Sequence, residues 1–513
     1  MKFPVRPAVI RCPHWIAILL SGVAVGIGTA GAAGVPLEQR SWVETRTDHF
    51  NLYSCGSQPA VNKLAGRLEQ FCKAYSQLAG AKAVESPPIV VMAFPDHEST
   101  KPYLPLYQGR PSTIAAFFKR GSDENLIVLS LPESGSVDGG MEIIFHEYAH
   151  FLFRRNDQFW PIWLKEGMAE VYSTFQTAGR TARIASPIPY HLQTLNHRRL
   201  LSLSELFSVT HDSPDYNEAS RQGLFYAESW LLTQFLMAGD NGPYRARFSQ
   251  FTALLRQGQL PEQAFTNALQ APLPVVQAEL RRYLKRGAFP AIDLTLSADI
   301  SSPISLTTRP LPPVEVYFRL GNELLRAGQP KAAEARFVAA GKITPASPLP
   351  EEGLGLLAHE RGDQDAALRH LQAALQLGST SYLAHYLCAL DEFRVIAKTR
   401  DRYRRIKPVE AAALFSQLDQ AISLMPTFGP SEQLYGIVEM VQGMDLAAAG
   451  VHLQRAIQLE PENPSYALSL AQYQYLTRNS TAARQTLAPL LLPNADPRFR
   501  ADAEKLMQAN DRY

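Results

Sequence analysis

Residues 141–155 read MEIIFHEYAHFLFRR. Met141, Ile143, Ile144, Phe145, Tyr148, Phe151, Leu152 and Phe153 fall nearly all round a helical wheel, and a helix apolar on every side is a buried one. Its polar members, Glu142, His146, Glu147 and His150, then need partners inside the protein. His146 and His150 are four apart, so both project from nearly the same face about one turn apart, and both imidazoles can reach one metal ion. Glu147 lies one position along and can point at a water on that metal. Two neutral imidazoles and a carboxylate suit Zn²⁺, with a fourth position left for water.

The third ligand is expected on a second helix nearby. Asn156-Asp157 and Pro161 end the first helical pattern, and Ile162 to Phe175 restarts it. Within it, Trp163-Leu164-Lys165-Glu166-Gly167-Met168-Ala169-Glu170 places two carboxylates four apart on one face. One can ligate while the other accepts a hydrogen bond from a ligand imidazole.

Upstream, the pattern from Trp42 to about Ser130 mixes strands and helices. His49 to Tyr53 alternates like a strand, Val61 to Leu78 has helical spacing, and Ile89 to Phe94 reads as a buried strand. Ala115–Phe118 and Leu126–Leu131 read as two more strands, so a small sheet is expected beside the metal helices. Downstream, helices are expected at about 191–210, 218–238, 243–257 and 273–285.

These two helical segments resemble the gluzincin metallopeptidases, in which H-E-x-x-H is followed on the next helix by a Glu ligand, commonly within W-L-x-E-G-x-A-E. The resemblance is specific over roughly residues 141–175 and looser over about 41–240. It implies an α+β zincin-like catalytic domain binding one Zn²⁺ per chain through His146, His150 and Glu166. It also implies Glu147 as general base and Glu170 as the carboxylate behind a ligand. Phe225-Tyr226-Ala227-Glu228-Ser229-Trp230 resembles the stretch of that group in which a Tyr opens an apolar helix and faces the metal. Tyr226 is then the expected oxyanion donor, although Ser229 stands where many relatives have Gly. The metzincin pattern fails, because its Gly would fall on Phe153 and its third His on Asn156. An exopeptidase G-x-M-E-N motif is not supported either. His191, His197 and His211 are further candidates near an oxyanion, with a surface or internally satisfied His as the plainer reading of each. Trp163 and Trp230 read as core.

A Pro-bearing linker is expected over 291–313, and beyond it the sequence repeats. Gly321 recurs as Gly355, Ala333 as Ala367, Phe337 as Leu371 and Ala340 as Ala374, every offset being 34. Gly328 and Gly362 mark turns at the same offset. This resembles the tetratricopeptide repeat, in which small residues let two antiparallel helices pack closely. Four or five units are expected over 314–497, one of them enlarged by the Arg-rich segment 398–407, with a tail at 498–513. The whole chain thus reads as an α+β zincin-like catalytic domain at 35–290 followed by an all-α tetratricopeptide-repeat solenoid.

Length and charge set the remaining bounds. The 513 residues exceed one ordinary core. The net charge of +2 gives no electrostatic argument for a nucleic-acid partner. Lys2, Arg6 and Arg11 precede an apolar run from Trp15 to Ile27, and small residues follow at Ala30 to Ala33. That reads as a signal peptide over 1–33, and the run is short against the about 20 residues that span a membrane. Export to the periplasm or beyond is expected, with tethering if the segment stays uncleaved, and no other membrane span. Export also permits a disulfide between Cys55 and Cys72, the alternative being two separate thiols. Cys388 reads as a core residue.

The function so implied is zinc-dependent hydrolysis of an exported protein or peptide, with the repeats docking substrate or a partner protein. The rival is a metal-binding but non-catalytic repeat scaffold of the cell envelope.

Overall fold

The computed structural model describes residues 35–79, 87–107, 110–111, 116–119, 121, 123–131, 140–153, 160–210, 213–217, 219–239, 244–297, 304–399, 406–443, 445–492 and 495–510. The expected signal segment, His211 and most of the Arg-rich segment lie outside these residues. Among them, no helix is long and apolar enough to cross a membrane.

A six-stranded sheet organises the first half of the chain. Its strands are β1 (Val43–Arg46), β2 (Phe50–Ser54), β3 (Ile89–Phe94), β4 (Ala116–Lys119), β5 (Leu126–Ser130) and, from far downstream, β9 (Thr307–Pro310). The order is β9-β1-β2-β3-β5-β4. β2, β3 and β5 run parallel, with Phe50 opposite Ile89 and Val90 opposite Leu126. The outer pairings are antiparallel. All six residues of β3 are buried. The reason lies in the period of a strand: Ile89, Val91 and Ala93 point to one face and Val90, Met92 and Phe94 to the other, and both faces are covered.

The first face packs on helices. They include α1 (Gln58–Ala79), α2 (Met141–Phe153) and α3 (Ile162–Ser173). The expected helix at 191–210 is two, α4 (Pro189–His197) and α5 (Leu203–Ser208), the second opened by a Ser202–Glu205 capping box. α6 (Ala219–Ala238), α7 (Arg245–Arg256), α8 (Pro261–Leu269) and α9 (Leu273–Arg286) complete this layer. α3 crosses α6 closely at Gly167, where a Cβ would lie 2.2 Å from Thr233 Oγ1 and 2.3 Å from the Ser229 carbonyl oxygen.

The second face packs on the repeats. Five helix pairs follow one another: α10 (Pro313–Arg326) with α11 (Pro330–Ile343), α12 (Leu349–Arg361) with α13 (Gln364–Gln376), α14 (Tyr382–Thr399) with α15 (Pro408–Leu424), α16 (Gly429–Gln442) with α17 (Leu446–Leu459), and α18 (Pro464–Leu476) with α19 (Ser480–Leu487). The period has a packing cause. A Cβ at Gly321 would lie 2.6 Å from the Phe337 ring, and one at Gly355 would lie 2.8 Å from Leu371. Ala333, Ala367, Ala449 and Ala483 are all fully buried at the matching position of the second helix.

Three sequence expectations are corrected here. Residues 291–313 are no bare linker: β8 (Ile292–Thr295) joins a three-stranded sheet with the hairpin β6 (Gln176–Ala178) and β7 (Thr181–Ile184), and β9 pairs with β1. The tail is α20 (Pro497–Asn510), whose Ala503, Leu506 and Met507 cover the open end of the last pair. Cys55 and Cys72 are free thiols. Cys72 is in the core on the α1 side of the sheet, whereas Cys55, just past β2, packs with the opposite face, so the sheet lies between them. Cys388 is buried in the core, as expected.

Polar contacts tie the repeats to the sheet as well. The turn between β4 and β5 presents Asp123 and Glu124. The Arg326 guanidinium pairs with the Asp123 carboxylate and lies 3.1 Å from Glu124. Tyr382 donates to the Asp123 carbonyl at 2.8 Å, and Lys119 donates to the Arg326 carbonyl at 2.8 Å. Arg319 stacks over the Tyr53 ring, 4.4 Å from its centroid. These residues sit on first helices of the early pairs, so that row of helices is partly filled by the chain's own sheet.

Candidate metal centre

α2 and α3 pack against each other, which brings His146, His150 and Glu166 to one point. One ligand atom from each lies within 4.8 Å of the others. Glu166 Oε2 is 3.4 Å from His146 Nε2 and 3.2 Å from His150 Nε2. The two Nε2 atoms are 3.2 Å apart. His146 and Glu166 are buried, while His150 is about a quarter exposed, so the cluster opens on the His150 side.

Two further carboxylates surround it. Glu170, one turn along α3 from Glu166, spans two imidazoles: its Oε1 is 3.4 Å from His146 Nδ1 and its Oε2 is 3.1 Å from His191 Nε2. Glu147 follows His146 on α2 and is half-buried. Burial raises the Glu147 pKa, a push that the two imidazoles oppose and Glu166 and Glu170 reinforce. Burial also works to raise Glu166, but His150 and His146 outweigh it and hold that carboxyl well below the usual range. Burial works to lower His146, and Glu170, Glu166 and Glu147 together carry it up to about 9. Three carboxylates, Glu147, Glu166 and Glu170, thus lie among three imidazoles, His146, His150 and His191.

Two tyrosines close the cluster. Tyr226, near the start of α6, has its ring centroid 6.2 Å from that of His146. It lies against Tyr216, with centroids 6.3 Å apart and planes 24° apart. The Tyr226 hydroxyl is buried and has no hydrogen bond of normal geometry, although the Tyr216 phenol lies beside it. Burial, then the charge of Glu166, raises its pKa well above that of an ordinary phenol.

Each sequence candidate can now be placed. His146, Glu147, His150, Glu166, Glu170 and Tyr226 share one site. His191 is in it too, behind Glu170. His197 is exposed at the end of α4. Trp163 stacks on Phe207 and Phe251 at centroid distances of 5.0 and 6.0 Å, and Trp230 is fully buried, so both are core. Sequence reasoning missed Tyr216, whose hydroxyl donates to Glu166 Oε1 at 3.1 Å. No pattern in Pro214-Asp215-Tyr216-Asn217 announces that contact.

No protein-family model and no curated protein matches the chain. Solved structures resemble part of it. A tetratricopeptide-repeat protein from Thermus thermophilus, TTC0263, is 20% identical with a TM-score of 0.31, over 38% of this chain and 99% of its own. YrrB, a tetratricopeptide-repeat protein described as having an unusual peptide-binding site, is 15% identical with a TM-score of 0.30, over 37% of this chain and 91% of its own. PilF of Pseudomonas aeruginosa is 17% identical with a TM-score of 0.30, over 38% of this chain and 88% of its own. Likeness of this degree says nothing of what the chain does.

Proposed function

We propose that the chain is a zinc-dependent peptidase acting on exported proteins or peptides, with His146, His150 and Glu166 as ligands. The observation that carries this reading is the convergence of those three donor atoms within 4.8 Å, beside Glu147 on the same helix. The donor set fits Zn²⁺: two imidazole nitrogens and one carboxylate oxygen, with a side open for water and substrate. When bound, zinc would supply Lewis acidity, polarising a peptide carbonyl and making water more acidic.

The chain's own residues do the rest. Glu147 takes the proton of the attacking water on its carboxylate and hands it to the departing amine nitrogen. Glu170 engages His146 Nδ1, which leaves Nε2 as the ligand nitrogen. Tyr226, whose ring lies 6.2 Å from that of His146, donates to the developing oxyanion in this reading. The segment 1–33 serves as the export signal. First helices beyond α14, away from the sheet, offer substrate or partner docking.

A second reading is a metal-binding repeat scaffold without catalysis, favoured by the five helix pairs that make up the second half of the chain. Glu147 separates the two readings, because a structural zinc site has no use for that carboxylate. The test compares exported peptides from cells carrying the wild type and Glu147→Gln, with zinc content measured on both purified proteins. Hydrolysis predicts peptides that vanish in the variant while its zinc stays near one per chain. Identical peptides with intact zinc would transfer the chain to the scaffold reading.

A further inference from the structure

His191 lies beside the metal centre without belonging to the group that converges there. The donor atoms within 4.8 Å of one another come from His146, His150 and Glu166. Glu170 stands between that group and His191. Its Oε1 is 3.4 Å from His146 Nδ1 and its Oε2 is 3.1 Å from His191 Nε2. Both contacts are of ion-pair length without the alignment of a normal hydrogen bond. One carboxylate thus bridges two imidazoles, and the chain of contacts runs from His191 through Glu170 to His146. His191 Nδ1 has no hydrogen bond among the described residues, so Nε2 is the nitrogen that meets a polar group.

Three helices fix this arrangement. Glu170 is on α3, one turn past Glu166. His191 is in the first turn of α4, which opens on Pro189. Trp230 of α6 lies beside it, with ring centroids 6.0 Å apart and planes 39° apart. Trp230 is fully buried, and Tyr226 stands one turn earlier on the same helix. The need for His191 follows from burial. The Glu170 side chain is 8% exposed, and a buried carboxylate needs donors for its oxygens. A ligand imidazole supplies one donor at most, from Nδ1, because its Nε2 faces the metal position. His191 supplies the other. Without it, Oε2 would turn towards another donor and draw Oε1 away from His146.

We infer that His191 is a positioning residue for the metal site: its Nε2–H holds Glu170 in place, and Glu170 in turn aims His146 Nε2 at the metal. His191 acts through Glu170 and touches neither metal nor substrate. This role rests on the zinc reading above, and it makes zinc affinity depend on a side chain 41 residues beyond His150, counting from 150 to 191.

The test measures zinc affinity on the full-length protein by competition with a chelator of known strength. Wild type is compared with His191→Leu, which fills the space without a donor, and with His191→Gln, whose amide nitrogen can stand where Nε2 stood. His191→Leu should bind zinc about tenfold more weakly or worse, and His191→Gln should stay within about threefold of wild type. The loss should also run through Glu170: in a Glu170→Ala background, His191→Leu should change affinity by less than about twofold. Where His191→Leu does not fold, His191→Asn takes its place, because the shorter amide does not reach Oε2. A wild type that binds zinc, with His191→Leu within about twofold of it, overturns the positioning role alone. An equal loss in His191→Leu and His191→Gln overturns it too, as does a loss undiminished by Glu170→Ala, since either is a packing effect. A wild type that holds no zinc overturns the zinc reading and this role with it.

Discussion

Tyr216 donates its hydroxyl to Glu166 Oε1 across 3.1 Å, which leaves Oε2 as the oxygen that faces both His146 and His150. A carboxylate held at one oxygen by a buried donor presents the other in a fixed direction. Such outer contacts commonly govern metal affinity by roughly 10–100-fold. Tyr216→Phe keeps the ring and removes the donor. Zinc affinity, read by competition with a chelator of known strength, should drop by about that factor, with the fold retained. An affinity within about twofold of wild type would reduce Tyr216 to a packing role.

The difference between what the sequence discloses here and what it hides follows from range. His146, Glu147 and His150 are legible because one helix fixes their spacing, and the buried wheel of α2 shows which residues need partners. Glu166 and Glu170 are legible from a second helix close behind. Tyr216 stands 50 residues beyond Glu166, on a four-residue turn of helix with no period to read. His191 reaches Glu170 only because α4 packs against α6, a tertiary fact. The repeats show through their 34-residue period, but nothing local marks Thr307–Pro310 as a strand: it has four residues, none fully buried, at a sheet edge. The two thiols read as a possible pair because they are close in sequence, and only the sheet between them separates their environments.

The corrected linker changes what truncation should do. Val90, Met92, Phe94, Leu126 and Val128 of the sheet share one core with Leu311, Val316, Phe318 and Leu320. Removing 314–513 would expose that face, at about 1.5–3 kcal/mol for each large side chain. The shortened chain is expected to aggregate. Removing 464–513 instead takes away a separate small cluster around Ala471, Leu487 and Ala503 and leaves the sheet covered. Size-exclusion chromatography and circular dichroism should find that second truncation soluble and folded. A monodisperse, cooperatively melting 1–313 fragment would show the sheet to be self-sufficient.

Glu323 gives stability a pH dependence. It is 1% exposed on α10, and neither carboxylate oxygen has a hydrogen-bond partner. Burial raises its pKa to about 8; Arg326 and Arg319 oppose the rise, and Glu124 and Asp123 add to it. The folded state therefore binds a proton more tightly than the unfolded chain, whose Glu titrates near 4.5. Its contribution is complete below that lower value and is lost as pH rises towards 8, by on the order of 1 kcal/mol per pH unit. Glu323→Gln removes the titration. Urea midpoints measured from pH 5 to pH 8 should fall less steeply in the variant than in the wild type. Parallel slopes would show that Glu323 is ionised throughout.

Tyr226→Phe separates a catalytic hydroxyl from a structural one, because the two roles predict opposite readouts. The Tyr226 hydroxyl is buried without a hydrogen bond of normal geometry, and such a group costs stability rather than supplying it. Removing it while keeping the ring against Tyr216 and His146 should leave the melting temperature unchanged or slightly higher. A purely structural hydroxyl would predict a loss. The position suits transition-state donation, since the ring lies 6.2 Å from that of the proposed ligand His146. Removing an oxyanion donor typically costs about a hundredfold or more in turnover. Single-turnover hydrolysis should therefore fall by about that factor with zinc content intact. A rate within about threefold of wild type would take Tyr226 out of the reaction. His191 would not inherit the role, because its Nε2 faces Glu170 and is turned to the back of the site. The Tyr216 phenol would not inherit it either, because its hydroxyl donates to Glu166.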